Sequence, residues 1–130
     1  TYSDARVKKD AQQIRYGLDE VMLMKPKEYN HHTSDFDENG LIIKKESKRT
    51  IGLYAQEIFN VIPEAVYQPE DESKDLWSLD YEKLIPVLIA AIQEQQKIIN
   101  NQESEIKQLK TLESRINDLE KTINATTSKK

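Results

Sequence analysis

The sequence predicts an α+β fold, in which a small mixed globular domain with short strands is followed by one long C-terminal helix. Apolar residues recur at alternating spacings of three and four from Leu84 to Ile123, the heptad spacing of helices that pack on one another. Upstream of Leu84, short apolar runs are separated by glycines, prolines and polar turn signals, which is typical of a small domain of short elements.

The length of the helix predicts how the chain divides. A helix over residues 81–125 would be roughly 65–70 Å long, whereas a domain made from the residues before it would have a radius of gyration of about 12 Å. We therefore expect residues 1–80 to form the globular part, residues 81–125 to extend beyond it as a coiled-coil helix, and residues 126–130 to fray.

The heptad positions of this helix, called the seam below, predict self-association as a homotrimer, because an apolar stripe in water needs partner helices. Gln95 and Gln102 stand where a parallel dimer would carry leucine, and the step from Leu109 to Leu112 is a stammer that overwinds the supercoil. The predicted trimer interface consists of the apolar seam residues Ile85, Leu88, Ile92, Ile99, Ile106, Leu109, Leu112, Ile116, Leu119 and Ile123.

The composition argues against several classes of function. The formal net charge is −4 and basic residues are not clustered, so neither nucleic acid nor an anionic membrane is an expected partner. The sequence has no cysteine, no secretory signal pattern and no apolar stretch of about 18 residues. A start at Thr1 rather than Met favours a fragment of a longer polypeptide.

Short elements are expected in the globular part. Residues 18–24 predict a helix that stops before Pro26 and buries Leu18, Val21 and Met22. Residues 28–30 and 41–43 predict a hairpin with a long, polar, mobile loop, and residues 50–53 predict a strand that leads into a helix over residues 54–61.

The rest of the globular part should contain two more strands, at residues 65–67 and 76–79. Trp77 is expected to fill core, and Asp80 to cap the long helix. Pro86 lacks a backbone donor, so we expect a kink or a restart of the helix there.

Few residues are candidates for metal binding or catalysis. His31 and His32 have no third ligand at a suitable spacing, so no metal site is predicted, and no cofactor motif is present. Ser3 with Lys8 and Lys9 is the remaining candidate, because a neutral lysine can accept the proton of a serine hydroxyl that attacks a carbonyl. Their spacing alone is common in proteins.

Four blocks of sequence, in order, carry a family resemblance. They are residues 3–8 (Ser-Asp-Ala-Arg-Val-Lys), 17–21, 51–58 and 79–86. Together they resemble the intramolecular chaperone and auto-processing domain that ends phage tail fibres and endosialidase tailspikes, with a relative in myelin regulatory factors. The resemblance covers residues 3 to about 96. Tyr54 departs from it, since many members have a smaller apolar residue there.

The resemblance implies a domain that helps three chains align an upstream fibrous domain of the same polypeptide and then cuts itself off. It implies that Ser3 is the nucleophile, Lys8 its partner and Tyr2–Ser3 the scissile bond, with Asp4 and Arg6 bracing the site. It also implies folding in the host bacterial cytoplasm during virion assembly, release from the mature fibre after cleavage, and no cofactor.

Two other functions are compatible with parts of the sequence. The first is a permanent trimerisation adaptor without chemistry, in which Ser3 and Lys8 are ordinary surface residues. The second, a hydrolase acting on external substrates, is disfavoured because the sequence has no pocket signature and no acid–base pair. A chain that keeps Thr1 and Tyr2 is compatible with cleavage that waits for assembly.

Overall fold

The computed structural model describes residues 2–129. Thr1, the first residue of the predicted globular part, and Lys130, the last of the predicted frayed tail, lie outside the described residues. The chain divides into two compact units, Thr1–Ile92 and Gln93–Lys130. Small antiparallel hairpins and one long helix confirm the α+β class.

The elements follow one another along the chain as short helices and two strand pairs before the long helix. They are a 3₁₀ turn at Ala5–Val7, α1 at Leu18–Leu23, β1 at Lys27–Asp37, β2 at Gly40–Gly52, α2 at Ala55–Phe59, a 3₁₀ turn at Pro63–Ala65, β3 at Val66–Tyr67, β4 at Ser78–Leu79, a 3₁₀ turn at Tyr81–Leu84 and α3 at Ile85–Ser128.

Strands β1 and β2 form a long antiparallel hairpin, which confirms the predicted hairpin. The pairing runs from Lys27 opposite Gly52 to Asp37 opposite Gly40, with a bulge between His32 and Ser34. The prediction of a long mobile loop was wrong, because the strands stay paired up to the turn. The strand predicted at residues 50–53 is the end of β2. In the outer part of the hairpin most side chains on both faces are exposed, the exceptions being Phe36, which is half-buried, and Gly40, which is buried.

The core of the first unit is small and is centred on Ile58, Ile62 and Val87, each at most 2% exposed. Val21 of α1 and Met24 pack against this core. The predicted burial of Met22 was wrong, since this side chain is 73% exposed. The helix α1 is only six residues long, and its contact with the core falls on Val21 and, beyond its end, on Met24.

Trp77 lies at the edge of the first unit rather than in its core. The indole packs edge-on against Phe59, with ring centroids 5.4 Å apart, and donates a hydrogen bond to Glu72 Oε1 at 2.6 Å. The side chain is half-buried, so the expectation that Trp77 fills core was wrong. A ring N–H that bonds a solvent-facing carboxylate holds the indole near the surface.

The long helix begins in two steps. Asp80 caps the 3₁₀ turn Tyr81–Leu84, its carboxylate accepting from Glu82 N at 3.1 Å, and α3 then starts at Ile85. Pro86 therefore lies in the first turn of α3, where a missing N–H breaks no intrahelical bond, which confirms the predicted restart. The helix has 44 residues and ends at Ser128 rather than Ala125. No helix in the described part of the chain is apolar enough to cross a membrane.

Candidate functional site

The segment that contains Ser3 and Lys8 is folded back on itself by a capped 3₁₀ turn. Asp4 Oδ1 accepts from the backbone N–H of Arg6 at 2.9 Å, and the turn closes with Lys8 N donating to Ala5 O at 3.1 Å. This reversal brings together the two side chains that the sequence paired. Lys8 Nζ lies 2.6 Å from Ser3 Oγ, within hydrogen-bond distance.

Asp4 and Arg6 brace this turn from outside. The Arg6 guanidinium donates to both carboxylate oxygens of Asp4, and its closest approach is 2.6 Å from Nη2 to Oδ2. The side-chain hydrogen bond from Arg6, with the backbone bond second, holds the pKa of Asp4 below its usual value. Asp4 therefore stays ionised and keeps capping the turn at neutral pH.

The pair is open to solvent in the single chain. Every residue from Tyr2 to Arg15 is exposed. A lysine can act as a base only when its amine is neutral, and removal of water favours the neutral form. The geometry of a Ser–Lys dyad is therefore present, while the water-excluded environment that such a base needs is not supplied by one chain.

A cluster on Glu64 holds the end of this segment to the domain. Arg15 Nη2 donates to Glu64 Oε1 at 2.6 Å and the Tyr16 hydroxyl donates to Oε2 at 2.7 Å, while the Tyr16 ring packs against the core. The hydrogen bond from Tyr16 is the main cause of a lowered pKa at Glu64. Sequence reasoning missed this cluster, because Glu64 lies 49 residues from Arg15 and 48 from Tyr16 in the chain, and no local pattern links them.

Two of the four resemblance blocks meet at Gly52. The Tyr81 hydroxyl accepts from Leu53 N at 2.9 Å, joining the block at residues 51–58 to that at 79–86. A Cβ added at Gly52 would lie only 2.6 Å from the hydroxyls of Tyr29 and Tyr81. Gly52 is thus needed for a close approach of side chains to backbone.

Comparison with known families agrees with these features. A family model described as chaperone of endosialidase, with the designation Peptidase_S74, matches residues 3–67, which is half of the chain. The chain belongs to the chaperone of endosialidase family. The match begins at Ser3 and includes Lys8 and Glu64, whereas the block at residues 79–86 lies beyond it. No curated protein matches the chain.

The resemblance stated from sequence is therefore confirmed, and with it a chaperone role and a relation to peptidases. Within residues 2–129 of this chaperone domain, no group of three histidine, aspartate or glutamate side chains could hold a metal ion. His32 Nδ1 instead lies 2.8 Å from Lys44 O across the hairpin.

The predicted trimer seam lies along α3 of the chaperone domain. Its apolar members are between 43% and 63% exposed in the single chain. The structure adds two exposed isoleucines that sequence reasoning did not include, Ile89 at 51% and Ile98 at 46%. They fall at heptad positions that flank the seam and widen the exposed apolar face.

Proposed function

We propose that this chain is an intramolecular chaperone that trimerises, aligns an upstream fibrous domain of the same polypeptide, and releases itself by autoproteolysis at Tyr2–Ser3. The single observation that carries the proposal is the 2.6 Å contact between Lys8 Nζ and Ser3 Oγ at the start of the family match. Assembly would take place in the host bacterial cytoplasm before the virion is complete.

The chemistry follows from the position of the nucleophile directly after the scissile bond. Ser3 Oγ attacks the carbonyl carbon of Tyr2 while Lys8 accepts the hydroxyl proton. Lys8 then returns this proton to the Ser3 nitrogen, the C–N bond breaks, and an ester joins Tyr2 to Ser3 Oγ. Water hydrolyses the ester to a Tyr2 carboxylate and a free hydroxyl on Ser3. Each chain reacts once, because its only scissile bond is consumed.

The exposure of the dyad supports a cut that depends on assembly. A lysine accepts a hydroxyl proton only as the neutral amine, which an exposed position does not favour. Packing of the Ser3 segment against the aligned fibre would exclude water and favour the neutral amine. Cleavage would then occur only when three chains are in register, and a misaligned fibre would stay attached to its chaperone.

Self-association is supported by the composition and exposure of α3. Ten apolar side chains spaced in heptads are exposed along one helix, and such a stripe is stable in water only when other helices cover it. Homotrimerisation would bury this stripe and bring three Ser3 segments to the base of one fibre.

Expression of the chain behind its natural upstream fibre tests the catalytic roles. The wild type should yield two fragments by mass spectrometry, the second beginning at Ser3. Ser3→Ala removes the nucleophile and Lys8→Met removes the base at nearly constant length, so each should yield one full-length product that still sediments as a trimer. Lys9→Met is the matched control, since Lys9 is adjacent and also exposed, and it should cut normally.

Normal cutting by both Ser3→Ala and Lys8→Met would overturn the assigned roles. The rival function, a permanent trimerisation adaptor, predicts one intact species in the wild type as well. Mass spectrometry of the wild-type fusion therefore decides between the two functions, while sedimentation tests the trimer that both of them require.

A further inference from the structure

The seam contains two polar positions whose partners are not in the single chain. With Ile92 and Ile99 at a positions of the heptad, Gln95 and Gln102 both fall at d positions, one heptad apart. Both side chains are exposed and neither makes a hydrogen bond within residues 2–129. In the trimer, on which this inference rests, three copies of each side chain would meet at the three-fold axis.

The surroundings of these layers are apolar. Ile92 and Ile99 precede and follow Gln95 on the seam, and Ile99 and Ile106 do so for Gln102. A primary amide has two N–H donors and one carbonyl acceptor. Around a three-fold axis each amide can donate one N–H to the carbonyl of the next, which closes a ring. The second N–H of each amide is then left over, and an unpaired donor in a dry core is destabilising.

An acceptor on the axis removes this problem. A small anion on the axis accepts hydrogen bonds from all three remaining N–H groups, in a site that contains no competing carboxylate. Water on the axis is a poorer match, because it has two lone pairs for three donors and two hydrogens of its own that would lack acceptors.

The two glutamine layers differ in the charge of the side chains beside them. The residue beside the Gln95 layer, at the flanking e position, is the neutral Gln96, whose Nε2 donates to Asn100 Oδ1 at 2.9 Å. The residue beside the Gln102 layer is Glu103, which brings three carboxylates close to the axis in a trimer. Glu94 falls at an outward heptad position. An anion is therefore favoured at Gln95 and disfavoured at Gln102.

We propose that the three Gln95 side chains of the trimer bind one small monovalent anion, chloride in the cell, on the three-fold axis, and that the Gln102 layer closes as an amide ring without an ion. The site is complete only when three helices are in the same register. Bound chloride thus stabilises the aligned trimer over shifted ones, which extends the aligning role of the helix.

The test compares the 130-residue chain with two matched variants, Gln95→Ile and Gln102→Ile. Thermal unfolding is followed in sodium chloride and in sodium gluconate at the same ionic strength of about 0.15 M, since gluconate is too large for the layer. The wild type and Gln102→Ile should unfold a few degrees higher in chloride. Gln95→Ile should be insensitive to the exchange. Crystals grown in sodium bromide should show an anomalous peak on the axis between the Gln95 amides.

The outcomes separate this inference from the proposed function. Equal responses to chloride in all three proteins, or a trimer whose Gln95 layer holds no bromide, would overturn the anion site and leave the trimer intact. A bromide peak at the Gln102 layer alone would overturn the charge argument. A wild-type chain that sediments as a monomer would overturn the trimer itself, and the anion site with it.

Discussion

Replacement of Gly52 by alanine tests the contact that joins the hairpin to the start of the long helix. The new Cβ would lie 2.6 Å from the hydroxyl oxygens of both Tyr29 and Tyr81. Non-bonded contacts to carbon are most favourable near 3.5–4.0 Å, so both oxygens must retreat by about 1 Å. Tyr81 cannot retreat without lengthening its 2.9 Å hydrogen bond from Leu53 N.

The size of the effect follows from three contributions. Loss of the Tyr81 hydrogen bond is unfavourable by about 1 kcal/mol, and overpacking adds about 1–3 kcal/mol. Alanine in place of glycine stabilises the protein by about 0.4–1 kcal/mol, because it restricts the unfolded chain. We expect Gly52→Ala to lower the free energy of unfolding by about 2 kcal/mol.

Urea unfolding followed by the fluorescence of Trp77 is the suitable assay. Trp77 is the only tryptophan and packs on Phe59 in the first unit, whereas far-UV circular dichroism would be dominated by α3. Protein concentration must be held constant, because assembly changes apparent stability.

A double-mutant cycle with Tyr29→Phe supplies the control. Removal of the Tyr29 hydroxyl deletes one of the two close approaches, so Gly52→Ala should be about 1 kcal/mol less destabilising in that background. If Gly52→Ala leaves stability unchanged, or has the same effect in both backgrounds, the steric argument is refuted.

Two further predictions concern assembly and acid. Ile106→Asp would place three carboxylates in the core of the trimer and should yield monomers by sedimentation, whereas Gln108→Asp, at an outward position, should leave trimers; a trimer with Ile106→Asp would refute the seam. The folded-state pKa of Glu64 lies below the ordinary 4.5, so its contribution to stability is present above that pH and is lost as pH falls through the lower folded value. Glu64→Gln should therefore reduce stability at pH 7 and weaken its decrease on acidification, and an unchanged acid profile would contradict the Tyr16 contact.

The sequence was informative wherever the deciding interactions are local. The Ser3 to Lys8 turn is closed by Asp4 within a few residues. The resemblance of residues 3–8 to a family motif, rather than their spacing, singled out the pair. The position of Pro86 similarly predicted a kink or a restart, and α3 starts at Ile85, since proline is tolerated in the first turn of a helix and disrupts its interior.

Local patterns failed where exposure or distant contacts decided the outcome. The hairpin was expected to have short strands at residues 28–30 and 41–43, whereas the antiparallel pairing continues to Asp37 opposite Gly40. Met22 was assigned to the buried face of α1, but Val21 and Met24 make the contacts with the core.

What the sequence by itself determined was the α+β class, the heptad pattern of α3 and, through its resemblance to a family motif, the candidate pair Ser3 and Lys8, because helical periodicity and short motifs extend over a few residues. Only the tertiary structure decided that Glu64 holds Tyr16, and that Gly52 lies against two tyrosine hydroxyls. Those contacts join residues that are distant in the chain, and their geometry depends on how the elements pack around Ile58 and Val87.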